Sequence, residues 1–317
     1  MDRRAGLLFV ALGFAWGIPY LLIKVSVEEV SPAFLVLART ALAVLLLLPI
    51  AHARGQLVPV LRRWRVLLAY AIIEVAIPWI LLGNAEQHLP SSTTGLLIAA
   101  VPLAGVVVAL VSGSGERLGT AGWVGLVAGL AGVAALVGFD IDTSDLGSVL
   151  EVFVVVAGYA IGPAILARYL SDEPGIAVVA VSLSIVAVVY LPLVVLGGGL
   201  PAAVPSTKVI ASIVVLAVVC TAGAFVMLFS LVGLIGAVRA TAITYVNPAV
   251  AIVAGAVFLG EQITVWTVVG FGLVLVGSYL LTRRASPRDE VRERVPGDGA
   301  VVAIAEPLVP AGRVRST

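Results

Sequence analysis

Charge is what this sequence has least of. Only 12% of its 317 residues are Asp, Glu, Lys or Arg, against about 25% in a soluble domain. Half the usual charge cannot cover a water-facing surface, which excludes an ordinary soluble enzyme and a disordered chain. Nor is one sign in excess. The 19 basic and 18 acidic residues leave a formal net charge of +1, which excludes a nucleic-acid binder that works by neutralising phosphates. A single cysteine, Cys220, excludes an intrachain disulfide. Two histidines, His52 and His88, are too few for a His-rich metal site.

What is abundant is apolar sequence: 61% of residues are hydrophobic, and the mean hydropathy is +1.16. A helix crossing ~30 Å of hydrocarbon needs about 20 mostly apolar residues. Ten such stretches are legible, near 5–24, 33–51, 65–84, 92–112, 119–138, 148–168, 175–197, 209–230, 236–259 and 262–282. Runs such as Val44 to Leu48 and Ile213 to Val219 do not alternate, which excludes a β-barrel. Backbone groups in lipid must bond within their own segment, so these runs are read as helices. The opening Met-Asp-Arg-Arg imitates a signal peptide, but a long apolar run with no small-x-small site favours a retained first helix. Residues 283–317, rich in Arg, acids, Pro and Gly, read as a disordered cytoplasmic tail.

An even number of spans puts both termini on one side. If that side is the cytoplasm, Arg3, Arg4, Arg54, Arg62, Arg63, Arg65, Arg117, Arg168, Arg239 and the tail arginines lie inside, Lys24 and Lys208 lie outside, and Arg39 is within a span. The positive-inside bias therefore predicts cytoplasmic termini in a plasma (inner) membrane. Glu28, Glu29, Glu86, Asp140, Asp142 and Asp145 then fall outside, and Trp64, Trp123 and Trp266 fall at span ends, as interfacial aromatics should.

The two halves repeat. Gly115-Glu116 matches Gly260-Glu261 at a shift of 145, as Gly125 matches Gly270 and Gly132 matches Gly277. Gly13-x-x-x-Gly17 maps onto Gly158-x-x-x-Gly162; Pro19 meets Pro163, and Pro102 meets Pro248, within one residue of that shift. Five spans per half make the second copy inverted, an arrangement typical of transporters with a midplane site between the repeats. The expected organisation is all-α and integral to the membrane: ten transmembrane helices as two inverted five-helix repeats, 1–138 and 148–282, followed by the tail.

These features resemble the drug/metabolite transporter superfamily, in its EamA branch. The resemblance spans about residues 5–282. It rests on the repeat, on Trp16-Gly17, on Leu37-Ala-Arg39, and above all on the blocks Pro102 to Gly132 and Pro248 to Gly277. It implies a carrier of amino acids, other small metabolites or drugs. It also implies a pathway lined by the first, third, fourth, sixth, eighth and ninth spans, with the fifth and tenth peripheral and packing between protomers as a homodimer.

Candidate site residues follow from polarity inside apolar spans. Glu74 sits near mid-membrane, where a carboxylate costs several kcal/mol unless paired, hydrated or protonated. Position 219, its counterpart, is Val, so Glu74 breaks the pseudo-symmetry. It is the candidate for proton coupling or for binding a cationic substrate group. Trp16, Tyr20, Trp79, Asn84, Thr94, Tyr159, Tyr245 and Asn247 are candidates to bind substrate, their amides and hydroxyls orienting a polar part and their rings an apolar part. Pro19, Pro78, Pro102, Pro163, Gly223 and Pro248 place a breaker in each of the six pathway spans, where kinks can line a cavity or gate it. Arg39 snorkels outward, caps a helix end or faces Glu74.

Other motifs fail. Asp140-x-Asp142-x-x-Asp145 lacks the Gly and distal Glu of a Ca²⁺ loop, and Gly113-Ser-Gly115 lacks a following Gly-Lys. His52 and His88 fall on opposite faces and share no metal. No catalytic set, cofactor motif or metal site is expected. The reading is a secondary transporter, an exporter of amino-acid-like or drug-like compounds working by alternating access, with proton coupling as the driving option. Its partners are a small-molecule substrate and the lipid bilayer, with no nucleic acid. The alternatives are a non-transporting receptor or assembly partner, and an intramembrane enzyme.

Overall fold

A computed structural model describes residues 3–111, 119–139, 145–236 and 240–282. The expectations placed on Gly113, Gly115, Glu116, Arg117, Asp140, Asp142, Arg239 and the tail lie outside the described residues.

Among the described residues all regular structure is helical. Eight helical stretches are long and apolar enough to cross a membrane: α1 (Arg3–Ser26), α2 (Pro32–Ala53), α3 (Trp64–His88), α4 (Ser91–Val111), α5 (Thr120–Gly138), α6 (Leu146–Tyr169), α7 (Gly175–Leu196) and α8 (Thr207–Ile235). Two shorter apolar helices follow, α9 (Ile243–Leu259) and α10 (Val265–Leu281). At 1.5 Å per residue these two reach about 25 Å, a little short of the ~30 Å hydrocarbon thickness. Every apolar stretch read from the sequence overlaps one of these helices.

Boundaries differ in two places that matter. The ninth stretch was placed from 236, but Gly236 has φ +82 and ends α8. The glycine takes a conformation closed to other residues, so α8 runs to Ile235 and α9 starts later. The third stretch was ended at 84, but α3 continues to His88 and carries Glu86 inside the helix. Helix starts are specified locally. Ser31 accepts from the Phe34 N–H ahead of Pro32, and Ser206 accepts from the Val209 N–H, each satisfying an orphan donor of the first turn.

Five of the six spans expected to carry a breaker are interrupted. In α1 the break falls at Ile18, just before Pro19. In α3 a π-turn, Ala71–Ala76, precedes Pro78, and in α8 a π-turn, Val218–Gly223, ends on Gly223. The α4 helix is broken at 99–100 ahead of Pro102, and a 3₁₀ segment, Thr241–Tyr245, leads into Pro248 in α9. Pro163 is the exception: α6 runs through it unbroken. A proline removes one bond and bends a helix, while the turns on either side can continue it.

Ser31 Oγ donates to the Gly199 carbonyl, and Glu29 accepts from the Ser206 N–H at 2.6 Å. The start of α2 is thus tied to the segment between α7 and α8 at one end of the bundle. At the opposite end Arg63 pairs with Glu173 at 3.8 Å.

The α5 and α10 helices form a seam of small residues. A Cβ added at Gly125 would meet the Gly277 carbonyl at 2.7 Å, and one added at Gly132 would meet the Gly270 carbonyl at 2.8 Å. Backbones this close require small faces, the usual device for association in lipid. Gly125 and Gly132 of the fifth span therefore face α10 within the chain, while Gly129 faces Leu103 of α4.

Candidate functional site

The interior of the bundle holds a polar cluster drawn from five helices. Arg39 enters from α2 and is only 7% exposed. Its Nε donates to Thr221 Oγ1 at 2.8 Å, and its guanidinium carbon lies 3.7 Å from the centroid of the Trp79 ring. The Thr221 hydroxyl donates in turn to the Leu216 carbonyl at 2.8 Å, inside the α8 π-turn. Trp79 of α3 lies beside the hydroxyl of Tyr159 on α6, and Tyr20 on α1 is buried near Arg39 and Glu86. Arg39 therefore neither snorkels nor pairs with Glu74. It sits on an aromatic face, where a desolvated guanidinium gains about 2 kcal/mol from the ring.

Glu74 lies in the α3 π-turn, and a π-turn inside an α-helix frequently marks a functional position. Its Oε2 is buried with no hydrogen-bond partner among the described residues. The carboxyl packs against Gly162 of α6, where any Cβ would collide with it. Gly158 lies against the Ile73 carbonyl and Pro78. The Gly158-x-x-x-Gly162 pair thus makes room on α6 for the irregular turn of α3. Tyr190 of α7 donates its hydroxyl to the Ala76 carbonyl at 2.8 Å, which supports the same turn from the other side.

The remaining candidates divide. Tyr20, Trp79 and Tyr159 join Arg39 in the centre. Asn84 does not: it lines a groove of about 380 Å³ with Glu151 of α6, Gln87, His88 and Ser148. Trp16 packs edge-on against Phe225 at 6.0 Å. Thr94 returns its hydroxyl to the Pro90 carbonyl at 3.1 Å. The Tyr245 hydroxyl donates to the Ser278 carbonyl of α10 at 3.2 Å. Asn247 has a buried Oδ1 without a partner among the described residues, and its backbone carbonyl abuts Gly17. A second groove, of about 590 Å³, lies between α1 and α8 and is lined by Arg3, Arg4, Leu7, Leu8, Ala11 and Ser230.

The sequence reading sets Glu86 beyond the third span; α3 continues through it to His88, and Glu86 is 0% exposed. Two charged groups close over it at this end of the bundle. Lys24 of α1 donates to the Glu86 carbonyl at 2.6 Å and to the Leu89 carbonyl at 2.9 Å. Glu261, after α9, accepts from the Ser91 and Ser92 N–H groups at 2.7 and 2.9 Å. A carboxylate at the α4 N-terminus satisfies orphan donors and complements the helix dipole. Gly260, in the left-handed conformation at φ +67, turns the chain so that Glu261 arrives there. No sequence signal placed Thr221 in the centre; an isolated Thr in an apolar span has no pattern.

The EamA-like transporter family model matches this chain twice, over residues 3–138 and 147–283. The uncharacterized inner membrane transporter YedA of Escherichia coli is 29% identical over 289 residues, covering 87% of this chain and 91% of that protein. The uncharacterized transporter YvbV of Bacillus subtilis is 26% identical, covering 89% and 92%. A probable terminal-alkyne amino-acid exporter of Streptantibioticus cattleyicolor is 30% identical, covering 86% and 91%. A solved crystal structure aligns with a TM-score of 0.63 at 21% identity, covering 88% of this chain and 96% of that one.

Proposed function

The chain belongs to the EamA-like transporter family, and from that premise we propose that this multi-pass membrane transporter is a secondary exporter of small amino-acid-like or drug-like metabolites. Transport proceeds by alternating access around the polar centre. Arg39, Trp79, Tyr20, Tyr159 and Thr221 form its core, with an anionic group of the substrate drawn to Arg39 and an apolar part to the rings. Trp16, Thr94, Tyr245 and Asn247 border the same pathway, and Asn84 lies at its mouth. Glu74 is the proton-coupling group. The breaks at Pro19, Pro78, Pro102, Gly223 and Pro248 are the hinges, with Pro163 a weaker one.

The observation that carries this reading is the pairing of the two π-turns. Ala71–Ala76 and Val218–Gly223 are offset by 147 residues, close to the 145 of the sequence repeat. One contributes Glu74 and the other contributes Thr221, so equivalent irregular turns bring unlike chemistry to the centre. This supports two inverted five-helix repeats, 1–138 and 148–282, with both termini and the tail 283–317 in the cytoplasm. Direction draws on the exporter among the relatives. A homodimer formed through lipid-facing helices is part of the proposal.

The test is flux through purified protein in liposomes, against a panel of amino acids and amphipathic amines, with and without a pH gradient. Protein-dependent movement of at least one compound class, enhanced by the gradient, is expected. Flux equal to that of protein-free liposomes across the panel overturns the reading.

A further inference from the structure

Glu86 has a buried carboxylate at the junction of four segments and nothing in the central site uses it. Neither of its oxygens has a hydrogen-bond partner among the described residues. The Lys24 backbone N–H approaches it without closing a hydrogen bond, and no ion pair joins the two side chains. The Lys24 ammonium is spent on two carbonyls at the end of α3, and both oxygens of Glu261 are spent on the start of α4. The groups that should neutralise or solvate Glu86 are therefore committed elsewhere.

Other charges reach Glu86 through space. Lys24 on α1, Arg39 on α2 and Glu261 after α9 are the charged groups near it. Tyr20 on α1 and Tyr159 on α6 lie near it as well. Glu151 on α6 and His88 lie on the far side of α3 with Asn84. An ionised carboxylate sealed from water with no hydrogen bond is costly by several kcal/mol, whereas the protonated acid is not.

We propose that Glu86 is a proton-binding site built into a gate: Lys24 and Glu261 draw α1, α3, α4 and the end of α9 together over Glu86 only when its carboxyl holds a proton. On closing, a hydronium ion in the vestibule gives up a proton: its O–H bond breaks, a carboxyl O–H bond forms on Glu86, and water is left behind. On opening, that bond breaks and the proton returns to water, leaving a hydrated carboxylate free to pair with Lys24. The sign follows: raising pH favours the open arrangement, and lowering pH favours the closed one. The proposal rests on the transporter reading only in calling this junction a gate.

Cys220 is the chain's one cysteine, 1% exposed; it packs in one cluster with Tyr20 and Leu82 of the gate helices α1 and α3, next to Thr221 of the central site. Its reaction with N-ethylmaleimide in the detergent-purified protein reports opening without any substrate. Rates are compared at pH 6.5 and 8.5 in the wild type and in Glu86→Gln, which keeps the shape and cannot ionise. The rise in thiolate with pH is common to both. The wild-type ratio of rates is expected to exceed the Glu86→Gln ratio at least fivefold, and Lys24→Met should label fast at both pH values. Equal ratios in wild type and Glu86→Gln, or no labelling of either at any pH, overturn the proposal. If Glu86→Gln does not purify, hydrogen exchange of wild-type residues 86–92, corrected for intrinsic pH dependence, decides it: pH-linked deprotection supports the gate and its absence overturns it. A protein that moves nothing in liposomes but shows the pH-linked difference keeps the proton gate and loses the transporter reading. The reverse result loses only the gate.

Discussion

Arg39 and Thr221 are hydrogen-bonded at 2.8 Å although 182 residues separate them, with Trp79 covering the same guanidinium. Two distant parts of the chain thus meet at one buried cation. Thr221→Val removes the acceptor and leaves a buried donor unsatisfied, at a cost of about 1–3 kcal/mol. Arg39→Lys loses both the fork and the stacking geometry and should cost at least as much. Measured as thermal unfolding in detergent, the pair should be non-additive by about 0.5–3 kcal/mol in a double-mutant cycle. Additive effects would mean that the bond contributes nothing.

Glu74 and Gly162 give a second cycle. Gly162→Ala drives a methyl group into the Glu74 carboxyl, an overpacking worth about 1–3 kcal/mol. Glu74→Ala in the same background should recover most of that loss. Glu74→Gln should keep the fold and membrane insertion while flattening the pH dependence of flux in liposomes. A wild-type pH profile in Glu74→Gln would reassign Glu74 to a structural role.

The seam between α5 and α10 should be intolerant of bulk. Gly125→Val and Gly277→Val each force side-chain carbons onto opposing backbone. Each should lower stability by about 1–3 kcal/mol or more, read as a drop in Tm. Gly138→Val, where the added carbon meets open space, is the matched control and should change Tm little.

Glu29 supplies a pH signature outside the spans. The Ser206 hydroxyl and backbone N–H hold its carboxyl below the ordinary value of 4.5. Its contribution is therefore present above that value and lost as pH falls through the lower, folded-state value. Glu29→Gln should remove this acid-side loss, seen as a smaller change in Tm between pH 5 and pH 3. An unchanged acid limb would place the loss on other carboxylates.

Orientation is tested by labelling in cells lacking the native thiol through Cys220→Ser. Asp145→Cys should react with an impermeant reagent from outside, and Glu290→Cys should not. The opposite pattern would invert the proposed topology.

The fold was largely legible because apolar length is a strong signal in lipid. Each stretch found its helix, and Pro78 and Gly223 marked the two π-turns within a few residues. Tyr20, Trp79 and Tyr159 were legible as polar atoms inside apolar spans. Arg39 was visible as a charge, but its Trp79 and Thr221 partners were not, because rotation of one helix against another leaves no trace in local sequence. The burial of Glu86 was hidden for a different reason. It stands beside Gln87 and His88, and a polar ending reads as a loop whether or not the helix continues through it. Asn84 was legible as a polar group at the end of the third apolar stretch, but which neighbour it faces was not.

The clasp of α5 with α10 also bears on how the chain is assembled. As α5 emerges from the ribosome, Gly129 already has Leu103 of α4 beside it, but the face of Gly125 and Gly132 has no partner until α10, more than a hundred residues later, is made. Until then that face must rest against lipid or an insertion factor, in a half-built bundle. The final helix is therefore a latch on biogenesis: a chain stalled or cut before it would leave α5 unmatched, whatever the state of the polar centre.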